Sequence, residues 1–191
     1  MANRVIFVLG GARSGKSHFA QELAKELGAR VLFIATGEPL DEEMKVRIEE
    51  HKKSRPDTWQ TLEIPTNIGI RMMKEAEDAD VIIIDCLSLL VCNCTGDELD
   101  HQKAEEKIKV ELNVLVSCIN RLDSSFIIVS NEVGMSLVPD NKLGRLYRDL
   151  LGKANQHIAK HSDEVYFLVA GIPLKIKGTK HQYNLAGDID D

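Results

Sequence analysis

Apolar residues along this chain fall into two alternating patterns. Runs of consecutive apolar residues occupy 5–9, 31–35, 81–84 and 126–129, and a further strand-like stretch covers 164–169. Such a run is typical of a strand buried on both faces of a parallel sheet. Between these runs, apolar residues recur every three or four positions, as on one face of a helix, in the segments 19–27, 41–53, 67–76, 108–122 and 141–161. The alternation predicts an α/β fold with a mainly parallel sheet.

The last part of the chain departs from this alternation. We expect Pro173 to interrupt the chain, and residues 174–177 to add a short antiparallel edge strand. With 191 residues, the chain suits one domain with a sizeable core. We therefore predict a single domain over 1–177 and a polar tail over 178–191.

A glycine-rich turn joins the first predicted strand to the first predicted helix. It fits the phosphate-loop pattern G-x-x-x-x-G-K-[ST] at every fixed position, with the residues Gly10, Gly11, Ala12, Arg13, Ser14, Gly15, Lys16 and Ser17. In this pattern Lys16 reaches the β- and γ-phosphates and the Ser17 hydroxyl ligates Mg²⁺, while backbone N–H groups at the helix start bind phosphate. The turn predicts binding of a nucleoside triphosphate and leaves the reaction open.

Composition excludes several other classes of protein. The net charge of -6 gives no general basic field for nucleic acid. The apolar runs are too short to cross a bilayer, and the N-terminus lacks a signal peptide. The four cysteines have no paired C-x-x-C spacing, so reduced thiols in a cytoplasmic protein are favoured over half a zinc site at Cys92 and Cys94.

Polar residues follow several predicted strands, where ligands bind in such sheets. Thr36 follows the second strand, Asp85 closes the run at 81–84, and a polar trio stands at 130–132. An aspartate in this position holds Mg²⁺ in many nucleotide hydrolases, although a capping aspartate is also common there. His51 shares a helix face with Met44 and Ile48, where a histidine is more often a core group than a catalyst. The residues alone thus leave a phosphoryl or nucleotidyl enzyme and an ATP-gated binding protein both open.

Longer motifs narrow this choice by resemblance. The phosphate loop resembles that of the bifunctional adenosylcobinamide kinase / adenosylcobinamide-phosphate guanylyltransferase family of cobalamin biosynthesis, and the most specific match is the block from Asp41 to Glu63, with its Arg47, His51 and Arg55. Further matches are Asp85-Cys86-Leu87-Ser88, Asn131-Glu132-Val133-Gly134, Arg148-Asp149, Asn155-Gln156 and the segment 170–175. The resemblance covers residues 4–177. Ser88 stands where a threonine is usual, a departure that removes no residue the chemistry needs.

The resemblance implies a RecA-like, three-layer P-loop NTPase fold and two reactions. Members of the family phosphorylate adenosylcobinamide with ATP or GTP. They then transfer GMP from GTP to adenosylcobinamide phosphate through a guanylylated histidine, giving adenosyl-GDP-cobinamide and pyrophosphate. Position in the motif makes His51 that histidine, and the resemblance further implies a homotrimer.

The same matching implies the remaining site residues. Lys16 joins His51 as a catalytic residue, and Ser17 is the metal ligand. Besides the phosphate loop, the implied nucleotide contacts are Ala35, Thr36, Gly37, Lys52, Lys53, Ser54, Arg55, Glu63 and Asp85. Either Glu63 or Asp85 suits the paired N–H donors of guanine, with Asp85 as an alternative metal ligand, and Glu132 is a candidate to orient the hydroxyl acceptor.

Two rival functions stay open at this point. One is a P-loop small-molecule kinase that uses Lys16 without a nucleotidyl step at His51. The other is an ATP-switched binding protein that binds nucleotide and releases little product.

Overall fold

A computed structural model describes residues 3–39, 41–53, 55–76 and 78–178, without the side chain of Arg47. Ser54 and the tail beyond Gly178 lie outside the described residues. Along the chain the elements are β1 (Val5–Gly10), α1 (Lys16–Leu27), β2 (Val31–Ala35), α2 (Glu42–Lys53), β3 (Gln60–Glu63), α3 (Ile68–Glu75), β4 (Val81–Asp85), α4 (Leu87–Thr95), α5 (His101–Ile119), β5 (Ser125–Asn131), α6 (Lys142–His161), β6 (Glu164–Val169) and β7 (Ile172–Lys177).

The strands form one sheet in the order β3-β2-β4-β5-β1-β6-β7. All neighbouring strands are parallel except β6 and β7, which pair antiparallel at one edge. The predicted mainly parallel sheet with an antiparallel edge is therefore confirmed. Strand β5 lies between β1 and β4, an order that agrees with the RecA-like arrangement. Consequently the phosphate loop after β1 and the aspartate at the end of β4 share one rim, with β5 between them.

Burial on both faces of the sheet explains the unbroken apolar runs. Helix α1 packs with Ala20 and Ala24 against one face, which includes Phe33. Helices α3 to α6 pack against the other face, which includes Leu32 and Phe126. Successive strand residues point to opposite faces, so the central strands β1, β2, β4 and β5 need apolar side chains at nearly every position. The edge strands β3 and β7 are largely exposed. Within the part of the chain described, no helix is long and apolar enough to span a membrane.

The sequence analysis erred on two local points. It assigned no element to α4, although Leu87, Leu90 and Val91 are buried at helical spacing. It also expected Pro173 to interrupt the chain, which is wrong because β7 runs through this residue. A proline is tolerated there because an edge strand can turn the side that lacks an N–H away from its neighbour.

Candidate functional site

The turn after β1 has the geometry that a phosphate loop requires. A Cβ at Gly10 would stand 2.6 Å from Ser14 Oγ and 2.7 Å from the Leu168 carbonyl oxygen, so only glycine fits. Gly15 precedes α1 with a φ of 92°, in the left-handed region that glycine favours. The buried Lys16 donates from Nζ to the Gly11 carbonyl oxygen at 2.6 Å. The loop thus directs the lysine and the first N–H groups of α1 to one side.

Strands β2 and β4 end beside each other on the same rim. Ala35 pairs with Asp85, and the following Thr36 is wholly buried. Its hydroxyl donates to the Cys86 carbonyl oxygen and accepts from the Cys86 N–H, each at 2.8 Å. The Asn93 amide donates to the Thr36 carbonyl oxygen at 2.8 Å. The Thr36 hydroxyl is therefore used to join two strand ends, and Thr36 fixes the turn that leads to α2.

Helix α2 forms a wall above this rim. Asp41 caps it by accepting a hydrogen bond from the Met44 N–H at 2.7 Å, as an aspartate before a helix predicts. Met44, Ile48 and His51 line the same cavity, in agreement with their predicted common face. His51 is half-buried.

One cavity of about 740 Å³ connects the α2 wall to the phosphate loop. Its volume lies in the range of small-molecule sites. The predicted site residues that line it are Arg13, Ser14, Gly15, Lys16, Ser17, Ala35, Gly37, His51, Arg55, Glu63 and Asp85. Those placed elsewhere are Gly10, Gly11 and Ala12 in the loop, Thr36, and the exposed Lys52 and Lys53. Ser54 lies outside the described residues.

Arg55 presents unpaired donors in this cavity. Its guanidinium lies over the Phe33 ring, 3.9 Å from the ring centroid. Its Nε and Nη1 atoms are buried and have no hydrogen-bond partner among the described residues. Burial lowers the pKa of Arg55, while the negative charges of Asp85 and Glu63 act in the opposite direction. Buried charged donors of this kind are costly unless a ligand completes them.

A smaller pocket of about 370 Å³ adjoins the main cavity through Arg55 and Glu63. Lys52, Trp59 and Thr61 contribute to its lining. Lys52 Nζ lies 2.6 Å from Glu63 Oε1, so the glutamate is already paired with one cation. The two pockets together make an elongated depression along the carboxyl ends of β2, β3 and β4.

Asp85 and Ser17 present oxygen atoms that fit a magnesium ion. Both residues line the main cavity, and Asp85 Oδ2 is buried without a hydrogen-bond partner in the described part of the chain. The described part of the chain contains no group of three or more histidine, cysteine, aspartate or glutamate side chains that could hold a metal ion. Mg²⁺ needs no such group, because phosphate oxygens and waters complete its shell around one or two protein ligands.

The neighbouring Cys86 is not a nucleophile at neutral pH. Burial, with the adjacent charge of Asp85, raises the pKa of this thiol to about 11. The thiol therefore stays protonated near pH 7, and Cys86 contributes packing to the cavity wall.

Among the cavity residues that the sequence analysis gave no role are Leu89 and Asn131. Leu89 lies on α4, the helix that the sequence analysis did not assign. Asn131 ends β5 and lines the cavity, whereas the carboxylate of its neighbour Glu132 accepts a hydrogen bond from the Gly134 N–H in its own turn. The pairing of β5 with β1 places Asn131, and not Glu132, at the cavity. The three polar residues at 130–132 do not reveal this pairing by themselves.

Comparison with known proteins gives concordant matches. Residues 6–176 match the model of the family described as cobinamide kinase / cobinamide phosphate guanyltransferase. The chain is 37% identical over 181 residues to the bifunctional adenosylcobalamin biosynthesis protein CobU of Escherichia coli, covering 91% of this chain and 99% of that protein. It is 41% identical over 171 residues to the bifunctional adenosylcobalamin biosynthesis protein CobP of Pseudomonas aeruginosa, covering 90% and 96%.

Proposed function

The chain belongs to the cobinamide kinase / cobinamide phosphate guanyltransferase family, and from this premise we propose that it carries out two successive transfers. In the first, it phosphorylates the terminal hydroxyl of adenosylcobinamide with ATP or GTP. In the second, it moves GMP from GTP to adenosylcobinamide phosphate through GMP held on His51. The products of the second transfer are adenosyl-GDP-cobinamide and pyrophosphate.

A single observation carries this proposal. One cavity is lined both by Lys16 and Ser17 of the phosphate loop and by His51 of α2. The phosphate loop supports binding of a triphosphate, and the histidine supports covalent transfer from that triphosphate. A kinase that lacks the nucleotidyl step has no need for a histidine on the wall that faces its phosphate loop.

The first half of guanylyl transfer follows from these positions. An unprotonated nitrogen of the His51 imidazole attacks the α-phosphorus of GTP, and a P–N bond forms as the bond to the β-phosphate oxygen breaks. Pyrophosphate leaves with the electron pair of that bond. Arg55 and Lys16 are the cavity cations suited to the charge that develops on the leaving group.

The second half returns the histidine to its starting state. An oxygen of adenosylcobinamide phosphate attacks the same phosphorus, a new P–O bond forms, and the P–N bond breaks with its electron pair returning to the imidazole. Forming a covalent intermediate divides one difficult transfer into two easier ones. His51 thus needs no net change of protonation over the cycle.

Strand order supports different roles for the two carboxylates. Asp85 ends β4, two strands from β1, whereas Glu63 ends β3, four strands from β1. Neighbouring strands lie about 4.8 Å apart, so Asp85 is about 10 Å and Glu63 about 19 Å across the sheet from the phosphate loop. We assign Asp85, with Ser17, to Mg²⁺, which supplies charge neutralisation at the phosphates when bound. Glu63 then suits the N1–H and N2–H₂ donors of guanine.

We propose further that the protein acts as a homotrimer in the cytoplasm. Exposed apolar residues alternate along one side of the edge strand β7, at Ile172, Leu174 and Ile176. This is a surface that another copy could cover. The four cysteines, all within the described residues, are free thiols, which suits a reducing compartment. Sedimentation equilibrium measures the number of chains directly, and a monomer would contradict this part of the proposal.

The test of the main proposal uses GTP labelled at the α-phosphate, with Mg²⁺ and without corrinoid. We expect the denatured wild-type protein to retain label that is stable in alkali and lost in acid, as a phosphoramidate is. His51→Ala should retain none. His18→Ala is the matched control, because His18 lines the same cavity from α1, and it should be labelled like the wild type.

Other outcomes separate the rival functions. A folded wild type that phosphorylates adenosylcobinamide but takes no label would be a kinase without the nucleotidyl step. A protein that binds nucleotide, takes no label and forms no phosphorylated product would be a nucleotide-switched binding protein. Label retained by the His51→Ala variant would mean that a residue other than His51 is the nucleophile.

A further inference from the structure

Asn131 occupies a position between the two phosphate-handling strands. In the register of the sheet it pairs with Gly10, the first residue of the phosphate loop. The N–H of the next residue donates to the Gly10 carbonyl oxygen at 3.0 Å, which fixes this register. On its other side β5 neighbours β4, which ends in Asp85. Asn131 therefore lies on the rim between the loop that holds the triphosphate and the carboxylate assigned to Mg²⁺.

Buried groups on two helices hold both the main chain and the side chain of this residue. Asn155 of α6 donates from Nδ2 to the Asn131 carbonyl oxygen at 3.1 Å and accepts at Oδ1 from Ser130 Oγ at 2.7 Å. Asn131 Nδ2 donates to Ser88 Oγ of α4 at 3.0 Å. Ser88 is itself 1% exposed, and its carbonyl oxygen accepts from the Tyr147 hydroxyl. The bond to Ser88 Oγ fixes the rotation of the Asn131 amide, and neither the side-chain carbonyl oxygen nor the second N–H of that amide has a hydrogen-bond partner among the described residues. Because Asn131 lines the cavity, both groups are available to a ligand there.

We propose that Asn131 contacts both reacting groups of the kinase step, the acceptor hydroxyl and the transferred phosphoryl group, and that Ser88 positions its amide. This inference rests on the proposed kinase activity. It assigns to Asn131 the task that the sequence alone favours for Glu132. The Glu132 carboxylate is engaged with the Gly134 N–H, and Glu132 does not line the cavity.

A neutral amide suits this task better than a carboxylate would. Asn131 Oδ1 accepts a hydrogen bond from the acceptor hydroxyl and so aims an oxygen lone pair at the γ-phosphorus. Its second N–H donates to an oxygen of the phosphoryl group. A carboxylate at the same place would add negative charge beside a polyphosphate, at an energetic cost that an amide avoids.

Phosphoryl transfer to the acceptor hydroxyl does not require Asn131 to act as a base. The acceptor oxygen forms a bond to the γ-phosphorus as the bond between that phosphorus and the β,γ-bridging oxygen breaks, and the nucleoside diphosphate leaves with that electron pair. The hydroxyl proton passes to an oxygen of the transferred phosphoryl group and from there to water. Because phosphoryl transfer has a loose transition state, positioning and electrostatics carry the catalysis, and an amide can supply both.

Asn131 and His51 line the same cavity but come from different elements. His51 stands on α2, the helix that follows β2, whereas Asn131 ends β5 on the far side of β4. Removing the amide should therefore slow phosphoryl transfer without slowing guanylylation of His51. This asymmetry is the measurable consequence of the proposal.

The experiment compares the full-length wild type with Asn131→Ala, Ser88→Ala and the control Asn120→Ala, an exposed residue at the opposite end of the sheet. We measure kcat and KM for phosphorylation of adenosylcobinamide by ATP, and labelling of His51 by GTP. Asn131→Ala should lower kcat about 100-fold, the loss typical of removing one preorganised hydrogen-bonding group, with labelling within threefold of wild type. Ser88→Ala should lower kcat by about tenfold, and Asn120→Ala should change neither rate.

Two results would overturn the proposal. One is a kcat of Asn131→Ala within threefold of wild type, and the other is an equal loss of phosphorylation and labelling, which would mark a purely structural role. Wild-type phosphorylation in the same assay tests the proposed function separately.

A second variant keeps the shape of the side chain and guards against misfolding. Asn131→Asp should retain labelling, and its kcat for phosphorylation at about pH 7 should fall at least about tenfold, because the ionised aspartate adds negative charge beside the phosphoryl group. A kcat within threefold of wild type would contradict direct contact between Asn131 and that group.

Discussion

The two ends of the sheet treat polar side chains in opposite ways. At the amino ends of the strands, several polar groups pair with one another, although His157 Nε2 near the end of α6 has no hydrogen-bond partner among the described residues. Asp163 accepts from the Val5 N–H at 2.8 Å, Ser124 donates to the Ala79 carbonyl oxygen at 2.7 Å, and Arg30 lies 2.7 Å from Asp80. Each contact joins two chain segments, so these polar groups are already paired within the protein and are not available to a ligand.

At the carboxyl ends the pairing is incomplete. Ser14 Oγ, two nitrogens of Arg55 and Asp85 Oδ2 are buried without a hydrogen-bond partner among the described residues. Native structures rarely leave such groups unpaired, because each costs free energy of folding. We infer that this rim gives up stability in order to bind nucleotide, whereas the opposite rim holds the strands together. Substitutions at the two ends should therefore affect different measurements.

Lys16→Ala should give the largest effect on activity. It removes the cation that the phosphate loop directs at the triphosphate, so phosphoryl transfer and His51 labelling should each fall about 100-fold or more. The melting temperature should stay close to that of the wild type, since the desolvation cost of a buried charge is removed together with its hydrogen bond to Gly11. Activity above a tenth of wild type would contradict the assigned role of the loop.

Arg55→Met should give an intermediate effect that separates binding from stability. Charge-assisted hydrogen bonds are worth about 1.5–3 kcal/mol, so the Kd for GTP should rise about 10- to 100-fold by calorimetry. Unfolding should change little, because the loss of the contact with Phe33 is offset by removal of a poorly solvated charge. A large fall in melting temperature with unchanged GTP affinity would place Arg55 among the structural residues.

Asp80→Asn should give the smallest effect, and only on stability. Hydrogen bonds from the Arg30 side chain and N–H lower the pKa of Asp80 to about 2, below the value near 3.9 expected in the unfolded chain. A depressed folded-state pKa means that the ionised form stabilises the fold above about pH 4, and that this contribution is lost as the pH falls toward 2.

The melting temperature of Asp80→Asn should therefore lie below that of the wild type by a constant amount from pH 5 to 8. The gap should close between pH 4 and 2, while GTP labelling at pH 7 stays unchanged. A gap that persists at pH 2 would mean that the carboxylate charge is not the cause.

Local patterns were sufficient to predict most of the elements. The segments 31–35 and 164–169 match β2 and β6 residue for residue. For β2 the reason is that a strand buried on both faces is apolar at every position. The glycine pattern of the phosphate loop was equally informative, since steric space at Gly10 permits no other residue. Helix α4 was missed because it begins one residue after β4, and the intervening Cys86 provides no side-chain cap hydrogen bond that would mark a helix start.

Site residues that belong to a sequence motif could be predicted from the sequence. Site residues whose position depends on the order of strands in the sheet could not. His51 and Arg55 were found through a block of resemblance, and the structure brings both into the cavity of the phosphate loop. The part played by Asn131 depends on β5 lying between β1 and β4, which no pattern within β5 reveals. The same holds for Glu63 and Asp85, whose different distances from the phosphate loop follow from sheet order alone.

The most direct test of the central claim, that one cavity serves both the phosphate loop and a guanylylated His51, is a transfer experiment. The protein is first labelled with GTP carrying a labelled α-phosphate, freed of nucleotide, and then mixed with adenosylcobinamide phosphate. We predict that the label leaves the protein and appears in adenosyl-GDP-cobinamide in equal amount. Label that stays on the protein, or that leaves only as free GMP, would contradict the account.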